Sequence, residues 1–144
     1  MTNVPSIDVD ALFAGLRRAL FYGVRASQLL RYTPDLIDLL YPKGAYPQMN
    51  EHDRALHTEM LIRRAVASIG GLSGDALATM LCLSPGLVGR PLTDRRRIAA
   101  DLFHRQPRTF YRGRYEKDLL YDLAVEIYRL GTTEDFADPP TVNV

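Results

Sequence analysis

The chain has 144 residues, and its contents of 47% hydrophobic and 24% charged residues are typical of a single globular domain. Its one cysteine, Cys82, excludes an internal disulfide framework and a thiolate metal cluster within one chain. No apolar run approaches the roughly 20 residues of a transmembrane helix, and residues 1–10 lack the basic and apolar regions of a signal peptide, so we expect a cytoplasmic protein.

The net charge of +1 hides an uneven distribution of charge. Residues 90–117, here called the basic segment, contain nine arginines and lysines and three acidic residues, whereas the rest of the chain contains 9 basic and 14 acidic residues. A basic patch on an otherwise acidic protein is typical of a polyanion binder. Arginine greatly outnumbers lysine, since the 18 basic residues include two lysines, Lys43 and Lys117. This bias is typical of a GC-rich genome such as that of an actinobacterium, and it also suits the bidentate contacts that arginine makes with phosphate and guanine.

Helix signals dominate the first half of the chain. Asp8 or Asp10 is expected to cap a first helix, and a short second helix follows it. Thr33, with proline and aspartate directly after it, is expected to cap a third. Asn50 is expected to cap a longer helix to Ile69, whose wide apolar arc predicts the central helix of the domain.

Two further helices are predicted before the turn at residues 104–106. Ser73 begins one of them, and the Ser-Pro-Gly sequence at 84–86 ends it. Thr93 and the following aspartate are expected to cap the other, which runs from Arg95 to about His104.

Pro107 is expected to open the last helix, which runs to Leu130 with an interruption at Gly113. Residues 132–144 contain three acids, two prolines and no base, so they predict a disordered acidic tail. The sequence therefore predicts an all-α, single-domain bundle of about six or seven helices over residues 1–131.

Residues 93–130 are predicted to form a helix–turn–helix-like unit. Ala100 stands where a small residue lets two helices pack closely, and Phe110 stands where an apolar residue of the second helix faces back. Gln106 would cap that helix. Over Arg97 to Arg114 this pattern resembles the generic helix–turn–helix family, which implies nucleic-acid binding by the second helix.

The chain departs from that family at two positions of the turn. His104 stands where the family usually has glycine, and Arg105 stands where an apolar residue usually points inward. The arginine-rich helix, the Pro-x-Thr-Phe turn and the leucine-rich last helix are also similar to a segment of actinobacterial proteins of unknown function.

The resemblance and the charge together predict which residues contact nucleic acid. Three consecutive arginines, Arg95, Arg96 and Arg97, are expected to hold phosphates. Arg108 and Arg112 lie one helical turn apart and are expected to approach base edges. The full set of predicted binding residues is Arg95, Arg96, Arg97, Arg105, Arg108, Thr109, Arg112 and Arg114.

A helical protein–protein interaction module without nucleic acid is the alternative, because short turns join helices in every all-α domain. Projection of the arginines from one exposed face would favour DNA. Pairing of Arg108 and Arg112 with Asp118, Asp122 or Glu126 would favour the interaction module. The sequence leaves DNA, RNA and protein open as partners, and it is compatible with a homodimer.

No catalytic motif is present, since the chain lacks a Gly-x-Ser-x-Gly elbow, a phosphate-binding Gly-Lys-Ser/Thr loop and a His-Glu-x-x-His zinc motif. We therefore expect a non-enzymatic protein without a cofactor. Asp53 and His57 lie four residues apart and can touch, whereas His52 points elsewhere. Nothing specifies a further ligand such as Glu59 or His104, so no metal site is predicted.

Overall fold

A computed structural model describes residues 7–112 and 114–132, which contain helices and connecting segments and no strand. The eight described helices are α1 (Val9–Ala19), α2 (Ala26–Tyr32), α3 (Pro34–Leu40), α4 (Glu51–Ile69), α5 (Gly71–Met80), α6 (Leu92–Leu102), α7 (Pro107–Arg112) and α8 (Tyr115–Gly131). None of them is long and apolar enough to cross a membrane. The all-α, single-domain prediction is confirmed. From residue 133 onward, the predicted acidic tail lies outside the described residues.

Two of the predicted helix starts have the expected side-chain caps. The Asp8 carboxylate accepts a hydrogen bond from the backbone N–H of Asp10 at 3.0 Å. The Asn50 side-chain oxygen accepts one from the backbone N–H of Asp53 at 2.8 Å. Each bond satisfies an N–H group that has no partner within its own helix.

Two other starts differ from the prediction. Helix α3 begins at Pro34 as expected, but the buried hydroxyl of Thr33 makes no hydrogen bond within the described part of the chain. Helix α6 begins at Leu92, directly after Pro91, so Thr93 lies in its first turn and does not cap it. Proline before a helix restricts the backbone without supplying a side-chain acceptor.

Helices α4 and α8 form the centre of the bundle. Helix α4 packs against α2, α3, α5 and α8, and α8 also packs against α1 and α7. Helix α8 buries Leu119, Leu123 and Ile127 along its inner side. Two apolar residues of α4, Leu56 and Met60, are exposed. The wide apolar arc of that helix is therefore only partly covered.

The final helix of the prediction is divided into α7 and α8. Arg114, the residue before α8, has a left-handed backbone with φ of 79°. An α-helix cannot continue through a residue in that conformation. The bundle therefore has one more helix than the sequence suggested.

A close contact between two loops brings the ends of α1 and α5 together. Gly23 has φ of 94°, and a Cβ atom at this position would lie 2.9 Å from the Cβ of Cys82. The backbone N–H of Val24 donates to the carbonyl of Leu81 at 3.1 Å. Because glycine alone fits this approach without strain, the loops after α1 and α5 lie side by side. Helix α6 packs against α5 at this junction.

Candidate nucleic-acid interface

Most of the basic side chains in the basic segment are exposed. Seven of its nine basic residues reach the surface, and the predicted binding residue Thr109 is exposed with them. The exposed basic residues are Arg90, Arg97, Arg105, Arg108, Arg112, Arg114 and Lys117. The two exceptions are Arg95 and Arg96, which were predicted to hold phosphates.

Arg95 is a structural residue of the interior and is only 1% exposed. Its guanidinium donates to four backbone carbonyls: Leu20 at 2.8 Å, Phe21 at 3.1 Å, Arg90 at 3.0 Å, and Met80. Carbonyls at the end of a helix lack intrahelical partners, and this side chain satisfies those at the ends of α1 and α5. Burial lowers the pKa of the guanidinium. The predicted phosphate contact of Arg95 is therefore corrected to a structural role.

Arg96 is held by a carboxylate of α8. Its Nε and Nη2 atoms donate to the two oxygens of Glu116 at 2.7 and 2.8 Å, which is a bidentate ion pair. The Glu116 carboxylate is buried and lies in the first turn of α8, where the helix dipole favours negative charge. The pair joins α6 to α8, so a phosphate would meet an arginine whose charge is already partly compensated.

The predicted helix–turn–helix packing is present at its two apolar positions. Ala100 of α6 and Phe110 of α7 are fully buried, as expected from their spacing. The ring of Phe110 lies 5.9 Å from the ring of Phe103 and is stacked 6.1 Å from the ring of Tyr115. Phe110 therefore fixes α7 to the turn on one side and to α8 on the other.

The geometry of the turn explains both departures from the family pattern. His104 has φ of 53°, the left-handed conformation for which glycine is usual. The backbone N–H of His104 donates to the carbonyl of Asp101, and the backbone N–H of Arg105 donates to the carbonyl of Ala100. These two hydrogen bonds form a Schellman motif at the end of α6. The Arg105 side chain is exposed, with its guanidinium 5.3 Å from the ring centre of Tyr115. Arg105 avoids a buried charge because it points outward.

The left-handed histidine gives a direct stability prediction. We expect His104→Gly to raise the free energy of unfolding by about 0.5–1 kcal/mol, because glycine adopts this conformation without the steric cost that a Cβ brings. Greater freedom of glycine in the unfolded chain limits the gain. Urea unfolding of His104→Gly beside His104→Ala checks this, since alanine keeps the Cβ and should give no gain. Equal effects of the two substitutions would contradict it.

Helix α7 is short for a helix that reads DNA bases. It has 6 residues and so extends about 9 Å. Arg108, Thr109 and Arg112 are exposed along it. Such a short element can place arginines beside a backbone, but it offers few positions to base edges.

Two cavities share Arg96 as a lining residue, and we call them the paired clefts. The first, of about 350 Å³, lies between the beginnings of α6 and α7 and is lined by Thr93, Arg96, Gln106, Pro107 and Arg108. The second, of about 280 Å³, lies between α1 and α6 and is lined by Ala14, Arg17, Arg18, Leu20, Phe21, Arg96 and Glu116. The paired clefts are therefore lined by arginines of both the basic segment and α1.

The α1 side of the paired clefts was not predicted from the sequence. Arg17 and Arg18 are exposed, and Phe21 beyond them is 61% exposed. Arg18 pairs with Asp35 of α3, whereas the Arg17 guanidinium lies 5.8 Å from the ring centre of Phe13. The available signal was two adjacent arginines in the last turn of a helix followed by exposed aromatic residues, but nothing in the sequence placed them beside α6.

The histidine and carboxylate residues of α4 have other contacts. The Nδ1 atom of His57 lies 2.9 Å from the backbone oxygen of Asp53, and its ring lies 5.5 Å from that of Tyr41. Glu59 accepts hydrogen bonds from the first N–H of α2, on Ala26, and from Arg63. Residues 7–112 and 114–132 contain no group of three or more histidine, cysteine, aspartate or glutamate residues placed to hold a metal ion.

Comparisons with protein-family models, with curated proteins and with solved structures found no match to this chain. The resemblance to the helix–turn–helix family therefore stays a prediction from the sequence pattern over Arg97 to Arg114. The partner of the basic surface is inferred from charge and shape.

Proposed function

We propose that this protein is a non-enzymatic, regulatory nucleic-acid-binding protein that holds a phosphate backbone in the paired clefts. The observation that carries the proposal is that Arg96 lines both clefts, the first together with Arg108 and the second together with Arg17 and Arg18. Arginine side chains on both sides of a cleft match the repeated negative charge of a nucleic-acid backbone.

The proposed binding depends on phosphates more than on bases. Phosphate contacts supply affinity and orientation without sequence information, whereas base edges supply specificity. Among the described side chains of helix α7, those of Arg108, Thr109 and Arg112 are exposed. We therefore infer binding that tolerates many sequences, with Arg97, Arg105 and Arg114 adding to the positive potential around the clefts.

Fluorescence anisotropy of a labelled random duplex and a labelled single strand, titrated across a salt series, tests this function. Contacts with about four to six duplex phosphates predict a log–log salt slope of about −4 to −5. We expect Arg17→Ala/Arg108→Ala to weaken binding about 10- to 100-fold and to reduce the slope by about 2, because one phosphate contact is lost at each cleft.

The matched control is Lys43→Ala/Arg64→Ala. It removes the same charge, but Lys43 lies in the α3–α4 loop and Arg64 borders a different cavity, beside Tyr41 and His57. This variant should bind almost as well as the wild type. Equal weakening of both double variants would mean that net charge alone attracts nucleic acid, and absence of wild-type binding at low salt would exclude the proposed function.

A protein–protein interaction module is the second candidate, and one observation favours it. Three large apolar side chains of α8, Tyr121, Val125 and Tyr128, are exposed. An exposed apolar row on a helix is typical of a surface that another protein covers. A homodimer would satisfy this candidate, and it is equally compatible with nucleic-acid binding.

A further inference from the structure

The exposed row of α8 has the spacing of a helix-packing surface. Tyr121, Val125 and Tyr128 lie at positions i, i+4 and i+7, and they are 44%, 42% and 40% exposed. The opposite side of α8 is buried in the core. Residues at this spacing form one continuous row along a helix, and such a row usually packs against another helix. We call these three residues the α8 stripe.

Two exposed charged residues lie along one side of the α8 stripe. Asp122 and Arg129 are seven residues apart, so they lie along the same side of the stripe, and both are exposed. Tyr121 and Tyr128 are also seven apart and lie toward the other side. Val125 lies between the members of each pair. The surface thus has an acid and a base at nearly equal distances on either side of its centre.

We propose that the α8 stripe binds a second copy of this chain, with the two α8 helices antiparallel about a two-fold axis near Val125. In this arrangement Tyr121 faces Tyr128 of the second copy, and Asp122 faces Arg129 of the second copy. The two-fold axis repeats each contact, as in any isologous interface. A parallel arrangement would instead place Asp122 opposite a tyrosine and would leave the charges unpaired. The charge pattern therefore selects the antiparallel dimer.

Neighbouring contacts support this surface. Glu126 orients the Arg129 guanidinium, whose Nη2 lies 2.6 Å from the carboxylate. The Arg129 side chain is nevertheless 58% exposed, so it can also contact a second carboxylate. Phe13 of α1 lies edge-on to Tyr121 at 5.7 Å and extends the apolar surface beyond α8. Helix α8 has 17 residues and so extends about 25 Å. A surface of this size predicts a weak dimer, with a Kd on the order of micromolar.

Sedimentation equilibrium of the full chain over a concentration series tests the dimer. We expect the wild type to change from monomer to dimer, and Val125→Glu to remain monomeric because it buries a charge at the centre of the interface. The matched control is Val88→Glu. Val88 is a 56% exposed valine in the α5–α6 loop, and this variant should dimerise like the wild type. Circular dichroism establishes that each variant is folded.

A charge exchange tests the antiparallel arrangement itself. Asp122→Arg places two arginines opposite each other, and Arg129→Asp places two aspartates opposite each other, so each should weaken the dimer at least about tenfold. The double variant restores an opposite-charge pair and should dimerise more tightly than Arg129→Asp, although both lack the contact with Glu126. A monomeric wild type, equal behaviour of the two valine variants, or a double variant no better than Arg129→Asp would overturn the proposal. None of these outcomes depends on nucleic-acid binding.

Discussion

Arg95→Met is expected to lower the free energy of unfolding by about 3–5 kcal/mol. Methionine fills a similar volume, but it cannot donate to the carbonyls of Leu20, Phe21, Met80 and Arg90. Replacing both partners of a buried polar contact by apolar groups can be nearly neutral, but here the acceptors belong to the backbone and remain in place. Buried carbonyls without a donor therefore account for the loss.

Urea unfolding measures this loss, with two comparison variants. Arg97→Met changes an exposed arginine of the same helix and should alter stability by no more than about 0.5 kcal/mol. Arg95→Lys keeps the charge, but a single ammonium group cannot reproduce the wide fork of the guanidinium, so a loss of about 1–3 kcal/mol is expected. If Arg95→Met and Arg97→Met were equally stable, the four hydrogen bonds would not contribute to folding.

Phe110→Ala is expected to lower the free energy of unfolding by about 3–5 kcal/mol. The Phe110 ring is fully buried between Phe103 and Tyr115, so truncation leaves a cavity and removes the main apolar contact of a six-residue helix. A helix that short is not stable without tertiary packing. Helix α7 should therefore lose order first, and backbone hydrogen exchange within it should accelerate before the rest of the bundle responds.

The control for this substitution is Phe21→Ala, which removes the same ring from an exposed position and should change stability little. Phe110→Leu should cost about 1–1.5 kcal/mol, because leucine fills much of the site. Because Arg108 is carried by α7, Phe110→Ala should also weaken nucleic-acid binding under conditions where the bundle remains folded. Unchanged exchange in α7 would contradict the role of Phe110 as its anchor.

The sequence predicted the features that depend on local spacing. Ala100 and Phe110 were recognised because a close helix contact requires a small residue and the facing helix requires an apolar one, and both are buried. Asp8 and Asn50 were recognised because capping depends on one side chain and the next two or three residues. The same local reasoning was correct for these two caps and wrong for those predicted at Thr33 and Thr93, where the side chain does not cap the helix.

The sequence could not show which of the three consecutive arginines is buried, which is ion-paired and which is exposed. Which of Arg95, Arg96 and Arg97 points inward depends on where α6 begins and on which groups lie beside it. The acceptors for Arg95 include carbonyls 75 residues away, at the end of α1. The partner of Arg96 lies 20 residues later, in α8. Charge alone predicted one role for all three, whereas packing gives each a different environment.

The α1 side of the paired clefts was not predicted from the sequence for the same reason. Arg17 and Phe21 lie beside α6 where Gly23 lets the loop after α1 lie against the loop after α5. That contact depends on a backbone conformation that spacing and composition do not reveal. The sequence therefore predicts the part of the candidate site that lies in the basic segment, but it does not predict the part that lies on α1.

The three adjacent arginines offer α6 a competing register, displaced by one residue. A shift by one residue would offer the Arg96 side chain to the carbonyls that now bind Arg95, and Arg97 to Glu116, with no loss of charge. The same shift would move Ala100 and Asp101 into the fully buried positions now held by Ala99 and Ala100. Burial of an unpaired carboxylate is costly. The exposed Asp101 thus raises the energy of the shifted arrangement and helps the chain distinguish its native register from a close competitor.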